Sequence, residues 1–359
     1  MKKILYDQKP QTVTVSDDTY NIINHDIYFF GTDYSPLNIN KVLNLIVINY
    51  SDKSDADFNV AFSEYQELYD AAKRRKADET LLQEIKKHFE KEFYRKQNLP
   101  VHGERFRFTL TKKSVKKLLS IDGIPKEKLI DFWDDPQSKP EFRYKTVAKY
   151  LSRLFESYSK LPSAERERIL FSDRYHMIEQ IIGGKSKGLK TVINETTWLH
   201  VKPYKIIYDV NTGYNYLVGI SSLDPENDGY KIAPFRINRL RNLQEDNSID
   251  PISYKEKSMI EERLREVSPA YISTSAMEIK VRLNQNGQYK INVIVRNRPK
   301  IKQIKELENG TAEYTVFCTE FQAKNYFIQF GADAVVVEPK SLNEVMKNEL
   351  QNAVDKYNT

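Results

Sequence analysis

The sequence predicts an α+β protein in which a duplicated strand-helix-helix unit precedes a group of short strands and a small final α/β unit. Length and composition support this prediction, because the 359 residues are 40% hydrophobic and 30% charged and can bury more than one core. The first half of the chain contains an internal repeat. In the second half, helical spacing of apolar residues gives way to short alternating runs that are typical of strands.

The repeat consists of two copies of a strand followed by two helices. Residues 11–15 and 106–110 alternate in polarity, and Ser16 and Thr111 follow them at a helix-capping position. The second helix of each copy carries apolar side chains at identical spacing: Ile39, Leu43, Ile46, Val47 and Tyr50, then Val147, Leu151, Leu154, Phe155 and Tyr158. The second copy has a longer connection between its helices, near residues 124–140.

A strand and two helices make up the half-unit of a ribbon-helix-helix fold, which buries its apolar face only when two halves pair. Two copies in one chain predict a complete unit within residues 1–160. The outer face of its ribbon would carry Thr12 and Thr14 from one copy and Arg105, Arg107 and Thr109 from the other. Such a ribbon fits the major groove of DNA, and the N-terminus of each second helix can hold a phosphate.

Two alternatives to a groove-reading ribbon stay open. The elements can be amphipathic segments that only pack on the core, or a scaffold that no longer touches bases. The segment between the copies, residues 62–97, interleaves basic and aromatic side chains, which suits single-stranded nucleic acid. Because six glutamates are mixed into that segment, a solvated helix face is the favoured interpretation.

A linker helix is predicted within residues 161–183, beginning near Ser163 and ending at Gly183-Gly184. Short strands follow at residues 190–193, 198–201, 204–208, 214–220 and 235–240, with a hairpin turn at 209–213. Several short strands after a helix are typical of a small barrel.

Three blocks within these strands carry a family resemblance. They read VKPYKII from Val201, YNYLVG from Tyr214 and FRINRL from Phe235. In this order the blocks resemble a WYL domain, and the resemblance implies an Sm/SH3-like barrel over residues 184–255. Asn215 replaces the tryptophan of the name-giving triplet, and Ala233 stands where an arginine is often found.

The resemblance implies a ligand site, because WYL domains are thought to sense nucleotides or nucleic-acid ends through a basic pocket. The candidate residues are Tyr204, Lys205, Tyr216, Arg236 and Arg239. Tyrosine rings can stack on a base while cations hold phosphates. In the alternative interpretation, Tyr204 and Tyr216 belong to the barrel core and only Arg239 faces a ligand.

The C-terminal residues 256–359 resemble the WCX-like extension that follows WYL domains, through residues 315–318, 320–331 and 334–342. This resemblance implies a strand, a helix, a strand and a closing helix over residues 342–357. The same region commonly supports dimerisation in relatives, so we expect a homodimer. Among WYL proteins, the chain most resembles accessory proteins found beside RNA-targeting type VI-D CRISPR effectors, which bind single-stranded RNA and stimulate the effector.

Charge permits a polyanionic partner, since the net charge is +6 and residues 278–305 contain eight Lys or Arg against one acid. The single cysteine excludes an intramolecular disulfide and fits a reducing cytoplasm. No apolar run has the length of a signal peptide or a membrane span, so we expect a soluble cytoplasmic protein without a membrane partner.

No enzyme signature is found, and no cofactor or metal is expected. The run from Gly183 to Gly188 lacks the first glycine of a phosphate-binding loop, because Glu179 occupies that position. The histidines have no metal-ligand spacing, and Cys318 is predicted to be a core thiol. The remaining hypotheses are an RNA-binding accessory of a CRISPR effector and, alternatively, a ligand-responsive DNA-binding regulator of transcription.

Overall fold

The computed structural model describes residues 10–33, 35–52, 56–97, 99–120, 146–192 and 197–357. The chain divides into two compact units, Met1–Ser172 and Asp173–Thr359. Helices and antiparallel sheets occur in both units, which confirms the α+β class. Among the described residues, no helix is both long enough and apolar enough to span a bilayer. The connection near residues 124–140 lies outside the described ranges.

The first unit combines a two-stranded ribbon with helices. Its strands are β1 (Gln11–Thr14) and β2 (Arg105–Phe108), and its helices are α1 (Asp17–Phe30), α2 (Ile39–Tyr50), α3 (Ala56–Arg74), α4 (Glu79–Gln97), α5 (Lys112–Leu119), α6 (Val147–Ser159) and α7 (Ser163–Leu170). The predicted caps of α1 and α5 are confirmed. Ser16 accepts a hydrogen bond from the N–H of Thr19, and Thr111 accepts one from the N–H of Ser114.

The apolar side of the ribbon lies in the core of this unit. The side chains that are no more than 3% exposed are Val13 of β1, Val15 just after it, Phe106 and Phe108 of β2, and Leu110 beyond β2. On α2 and α6, every apolar position of the repeat is buried except Ile39, which is half-buried. The rings of Tyr50 and Tyr158, at equivalent positions of the two helices, meet edge to face with centroids 6.3 Å apart.

One hydrogen bond recurs at equivalent places in the two copies. The side-chain amide of Asn44 in α2 donates to the carbonyl oxygen of Thr109 over 2.9 Å, and the hydroxyl of Ser152 in α6 donates to that of Thr14 over 2.7 Å. Asn44 and Ser152 occupy equivalent positions of the repeat in their helices, and Thr14, the last residue of β1, is equivalent to Thr109, which directly follows β2. Each second helix therefore holds the strand of the other copy.

The predicted linker helix is not one helix. Helix α7 ends at Leu170, and α8 (Ser172–Ile182) begins after Phe171, which leaves helical geometry at φ −121° and ψ 31°. Ile169, Leu170 and Phe171 are all buried. Three consecutive residues of one straight helix spread over more than half of its circumference and cannot share one apolar face. The break lies at the boundary of the two compact units.

The second unit contains α8 and two antiparallel sheets. The first sheet is formed by β3 (Gly188–Val192), β4 (Trp198–Asp209), β5 (Tyr214–Ser222), β6 (Lys231–Arg236) and β7 (Gln244–Asp246), and α9 (Tyr254–Glu266) follows it. The second part contains β8 (Met277–Leu283), α10 (Gln285–Val293), β9 (Lys300–Glu306), β10 (Ala312–Cys318), α11 (Glu320–Phe327), β11 (Ala334–Glu338) and α12 (Lys340–Tyr357).

The first sheet has the strand order β6-β5-β4-β3-β7. Two short strands predicted at residues 198–201 and 204–208 are the single strand β4, whose register shifts between Pro203 and Lys205. Proline has no N–H to donate to a ladder and is tolerated at such a bulge. The strand predicted at residues 235–240 is also corrected, since β6 ends at Arg236 and residues 237–239 form a 3₁₀ turn.

The second sheet has the strand order β11-β8-β10-β9, and its elements follow each other as βαββαβ with α12 at the end. This is the ferredoxin-like arrangement. The sequence predicted the second half of this arrangement, β10, α11 and β11, together with the closing helix α12. It did not predict β8, α10 and β9. One face of the sheet is buried against the three helices, through Ile291 of α10, Tyr326 and Phe327 of α11, and Leu342 and Met346 of α12.

Candidate nucleic-acid interfaces

The ribbon presents the predicted polar side chains on one surface. Thr12, Arg105, Arg107 and Thr109 are exposed, and Thr14 is half-buried. Thr12 pairs with Arg107, and Thr14 pairs with Arg105. Directly paired residues of an antiparallel ladder lie on the same face, so each guanidinium group lies opposite a threonine of the other strand.

The end of this ribbon is held by α2. Asn40 accepts a hydrogen bond from the N–H of Thr109 over 2.8 Å, while Asn44 donates to the carbonyl oxygen of the same residue. The backbone of Thr109 is therefore satisfied, and its side chain is left to the solvent. The N-termini of α2 and α6 are capped by Asn38 and Thr146, each of which accepts one backbone N–H.

Four of the five residues predicted in the WYL-like region lie on one face of the first sheet. Arg236 pairs with Tyr216, and Lys205 pairs with Val218, two residues further along β5. Tyr204 stands in the bulge beside Lys205 and packs against the same apolar cluster as Tyr216. The arrangement brings these four residues together on the side of the sheet that α9 covers through Ile260.

Tyr216 is a buried member of this group. It is 4% exposed, and the Nε of Arg236 donates to its hydroxyl oxygen over 3.2 Å. The guanidinium carbon of Arg236 lies 4.1 Å from the ring centroid of Tyr214, which is a close cation–π contact. Tyr271 belongs to the same cluster, and burial raises its pKa to about 12. Tyr216 thus orients Arg236 from within the core.

Glu261 of α9 contacts Tyr204 and Lys205, the two other residues of this group. Its carboxylate accepts a hydrogen bond from the hydroxyl of Tyr204 over 2.6 Å and from the ammonium group of Lys205 over 2.7 Å. The Lys205 and Tyr204 hydrogen bonds lower the pKa of Glu261, and the hydrogen bond to Glu261 raises the pKa of Tyr204. A tyrosine hydroxyl and an ammonium group therefore hold a carboxylate between them.

Sequence reasoning missed Glu261 because it placed no helix after the barrel strands. A signal was present, since Ser253 and Glu256 form a capping box that marks the start of α9. Arg239 is separate from the other four predicted residues. It is exposed in the 3₁₀ turn after β6, and no hydrogen bond or ion pair joins it to them within the described part of the chain.

Two local predictions, a helix-ending turn at Gly183-Gly184 and a core position for Cys318, are confirmed. Gly183 and Gly184 end α8, with their N–H groups donating to the carbonyl oxygens of Glu179 and Ile181, so this segment is a helix-ending turn. Cys318 is fully buried in β10, and burial raises the pKa of its thiol to about 12. A thiol with such a pKa is a poor nucleophile at neutral pH.

Comparison with known proteins identifies one region by sequence. The model of the WCX domain matches residues 275–354, which include β8 through most of α12. No curated protein matches the sequence.

Two solved structures match the chain to different extents. A CRISPR Cas-related protein covers 98% of this chain and 94% of its own, with 21% identity and a TM-score of 0.64. The proteasome accessory factor PafBC of Arthrobacter aurescens shares 15% identity, with a TM-score of 0.26, over 60% of this chain and 33% of its own. The chain thus carries a WCX domain, has the fold of the CRISPR Cas-related protein, and resembles WYL-type proteins, as its sequence predicts.

Proposed function

We propose that this chain is a non-enzymatic regulator of the WYL class that binds single-stranded RNA and modulates an RNA-targeting CRISPR effector. The WCX domain supports the assignment to the WYL class. The match over nearly the whole chain to a CRISPR Cas-related protein supports an association with a CRISPR system. A reducing cytoplasm and a homodimer are parts of this proposal.

The contact that carries the proposal is the one among Tyr204, Lys205 and Glu261. A carboxylate that is held by a hydroxyl and an ammonium group marks a place where a phosphate oxygen can be held in the same way. Glu261 is only partly exposed, with a 37% exposed side chain, so solvent and a ligand can both reach it. A base beside this phosphate would stack on the ring of Tyr204, while Arg236 and Arg239 extend the basic surface.

The domain organisation belongs to the same proposal. We assign a duplicated ribbon-helix-helix unit to residues 1–160, a linker to 161–183, a WYL barrel to 184–255 and a C-terminal extension to 256–359. The recurrent bonds from Asn44 and Ser152 support the duplication, and the order β6-β5-β4-β3-β7 supports an Sm-like barrel. An apolar groove between β11 and α12, lined by Val335, Leu350 and Val354 among others, supports dimerisation through the extension.

A DNA-binding transcriptional regulator is the second candidate. The observation that favours it is the exposed ribbon, where Arg105 and Arg107 lie opposite Thr14 and Thr12. Arginine and threonine side chains of a two-stranded ribbon can read base edges in the major groove.

Binding measurements on the full chain separate the two functions. We would measure fluorescence anisotropy of labelled single-stranded RNA and of duplex DNA over a salt series, because each phosphate contact contributes to the salt slope. The variants are Lys205→Ala with Arg239→Ala for the WYL-like region, and Arg105→Ala with Arg107→Ala for the ribbon. Arg236 is avoided since its loss would leave the buried hydroxyl of Tyr216 without that donor. Lys160→Ala, an exposed cation at the end of α6, is the control.

The RNA-binding function predicts tight binding of RNA that falls about tenfold or more in the Lys205→Ala/Arg239→Ala variant and stays unchanged in the ribbon variant. Tight binding confined to one duplex sequence, and lost in the ribbon variant, would instead establish the DNA-binding alternative. A chain that binds neither polymer would contradict both functions.

A further inference from the structure

In the part of the chain that the structure describes, no helix packs on one face of the sheet of the WCX region. Ile279, Val281 and Val316 point into the core, so the alternate residues of β8 and β10 lie on the opposite face. On that side, Arg282 of β8 is exposed, and Thr315 and Phe317 of β10 are half-buried. The basic run recognised in the sequence, residues 278–305, supplies β8 and β9 of this sheet.

The strand register gathers lysines around the ring of Phe317. Lys300 of β9 pairs directly with Phe317, and the register shift after Thr315 leaves Lys302 beside it. The Nζ of Lys302 lies 5.2 Å from the centroid of the Phe317 ring. Further along, Lys305 pairs with Glu313, which in turn pairs with Arg282. The ring of Phe317 is therefore bordered by lysines on the side of β9, whereas Glu278 of β8 pairs with it on the other side.

Two acidic residues of this face, Glu278 and Glu338, lie on β8 and β11, while Glu313 of β10 pairs with Lys305. Lys280 donates to Glu338 over 2.8 Å, and this hydrogen bond, with the charges of Glu338, Glu313 and Glu278, raises the pKa of Lys280. Lys300, Lys302 and Lys305 are exposed, and no ion pair engages them in the part of the chain that the structure describes. The excess positive charge thus follows β9, next to Phe317.

The position of β9 indicates what can bind there. Among the described strands, β9 pairs with β10 alone and is the edge strand of its sheet. Three lysines within seven residues disfavour pairing with the same strand of a second copy, because like charges would face each other. They favour a polyanion. Single-stranded RNA fits this surface better than a duplex, since its unpaired bases can stack on the ring while the lysines follow the backbone.

We propose that Lys300, Lys302, Lys305, Arg282 and Phe317, here called the β9 face, form a second binding surface for single-stranded RNA. Four-stranded sheets with exposed aromatic side chains bind RNA in this way in other folds. The β9 face is separate from the Tyr204, Lys205 and Glu261 contact and goes beyond the proposed function, which does not depend on it.

The test uses the full chain and a labelled, unstructured single-stranded RNA over a salt series. The test variant is the triple substitution Lys300→Ala, Lys302→Ala and Lys305→Ala, and the matched control replaces three other exposed lysines of the second unit, Lys187, Lys255 and Lys340, by alanine. Each lost phosphate contact should reduce the salt slope by about 0.7, so the test variant should lose up to about 2 units of slope and about tenfold in affinity. The control variant should lose less than the test variant in both salt slope and affinity.

A second variant, Phe317→Leu, tests the ring while keeping an apolar side chain. The fluorescence of a 2-aminopurine base in the RNA should be quenched by the chain and recover in this variant, with a loss of affinity of about tenfold. Circular dichroism melting checks that both variants are folded.

Three outcomes would overturn the proposal that the β9 face binds single-stranded RNA. One is a test variant that binds RNA like the control; if Lys205→Ala then abolishes binding, the proposed function stands alone. Another is an equal loss of affinity for duplex DNA, which would show general charge attraction. The last is a change from dimer to monomer in light scattering, which would make this face a contact between copies. RNA binding that needs the β9 face and not Lys205 would support the face and contradict the proposed site.

Discussion

At the residue scale, Glu261 is the side chain that most alters the interpretation of the predicted ligand site. The sequence selected Tyr204 to stack on a base and Lys205 to hold a phosphate, and both side chains are already bound to this carboxylate. An anionic ligand must therefore displace Glu261 or share its partners. Because Lys205 has a 41% exposed side chain, the pair is screened by water and its contribution is modest.

The first prediction follows from that competition. Glu261→Gln keeps hydrogen-bonding capacity but removes the negative charge, so single-stranded RNA should bind roughly twofold to fivefold more tightly, with the larger effect at low salt. Anisotropy titrations at two salt concentrations would measure it.

The matched control is Glu262→Gln, which removes the same charge from an exposed neighbour on α9. If both variants gain equally, the effect is one of net charge, and Glu261 does not compete for the site.

At the element scale, helix α7 is attached to the first unit by a buried ion pair. Asp26 of α1 is fully buried, and Arg166 of α7 donates to both of its oxygens, over 2.8 and 3.1 Å. Tyr158 of α6 also donates to Asp26 over 2.8 Å. Helix α1 therefore meets α6 and α7, which lie far from it in sequence, at one carboxylate, and neither Asp26 nor Arg166 has a local pattern that predicts the contact.

Removal of one partner should be costly. Arg166→Ala leaves the carboxylate of Asp26 buried with less compensation, and we expect the free energy of unfolding to fall by about 3–5 kcal/mol. Urea unfolding followed by circular dichroism would measure this change.

The double variant Asp26→Asn with Arg166→Ala removes the charge as well and should recover part of the lost stability. If the double variant is as unstable as the sum of the two single variants, the pair does not interact as described.

At the scale of the whole molecule, the chain consists of two units with their own cores. Tyr50, Phe155 and Tyr158 are among the buried residues of the first unit, and Tyr326 and Phe327 are among those of the second. The boundary at Ser172 lies in the middle of the helix that the sequence predicted as a linker.

We therefore expect residues 1–172 and 173–359 to fold as separate fragments. Each should show a cooperative thermal transition, because each buries an apolar core without the other. Differential scanning calorimetry of both fragments, with the full chain as the reference, would check this. A fragment with helical signal but no cooperative transition would contradict the division.

The sequence by itself determined the local features of this protein. Alternation and helical spacing predicted the ribbon and the apolar faces of α2 and α6, the capping residues predicted where α1 and α5 begin, and the sequence blocks predicted the WCX region. These features depend on residues that are close together along the chain, so a local pattern is sufficient to reveal them.

Only the tertiary structure decided which side chains meet. The bond of Glu261 to Tyr204, the pairing of Asp26 with Arg166, and the position of Lys302 beside Phe317 join residues on different elements. Strand register, a bulge and helix packing fix these contacts, and a shift of one residue would move each strand side chain to the other face. No periodicity in the sequence carries that information, which is why the candidate residues were predicted but their partners were not.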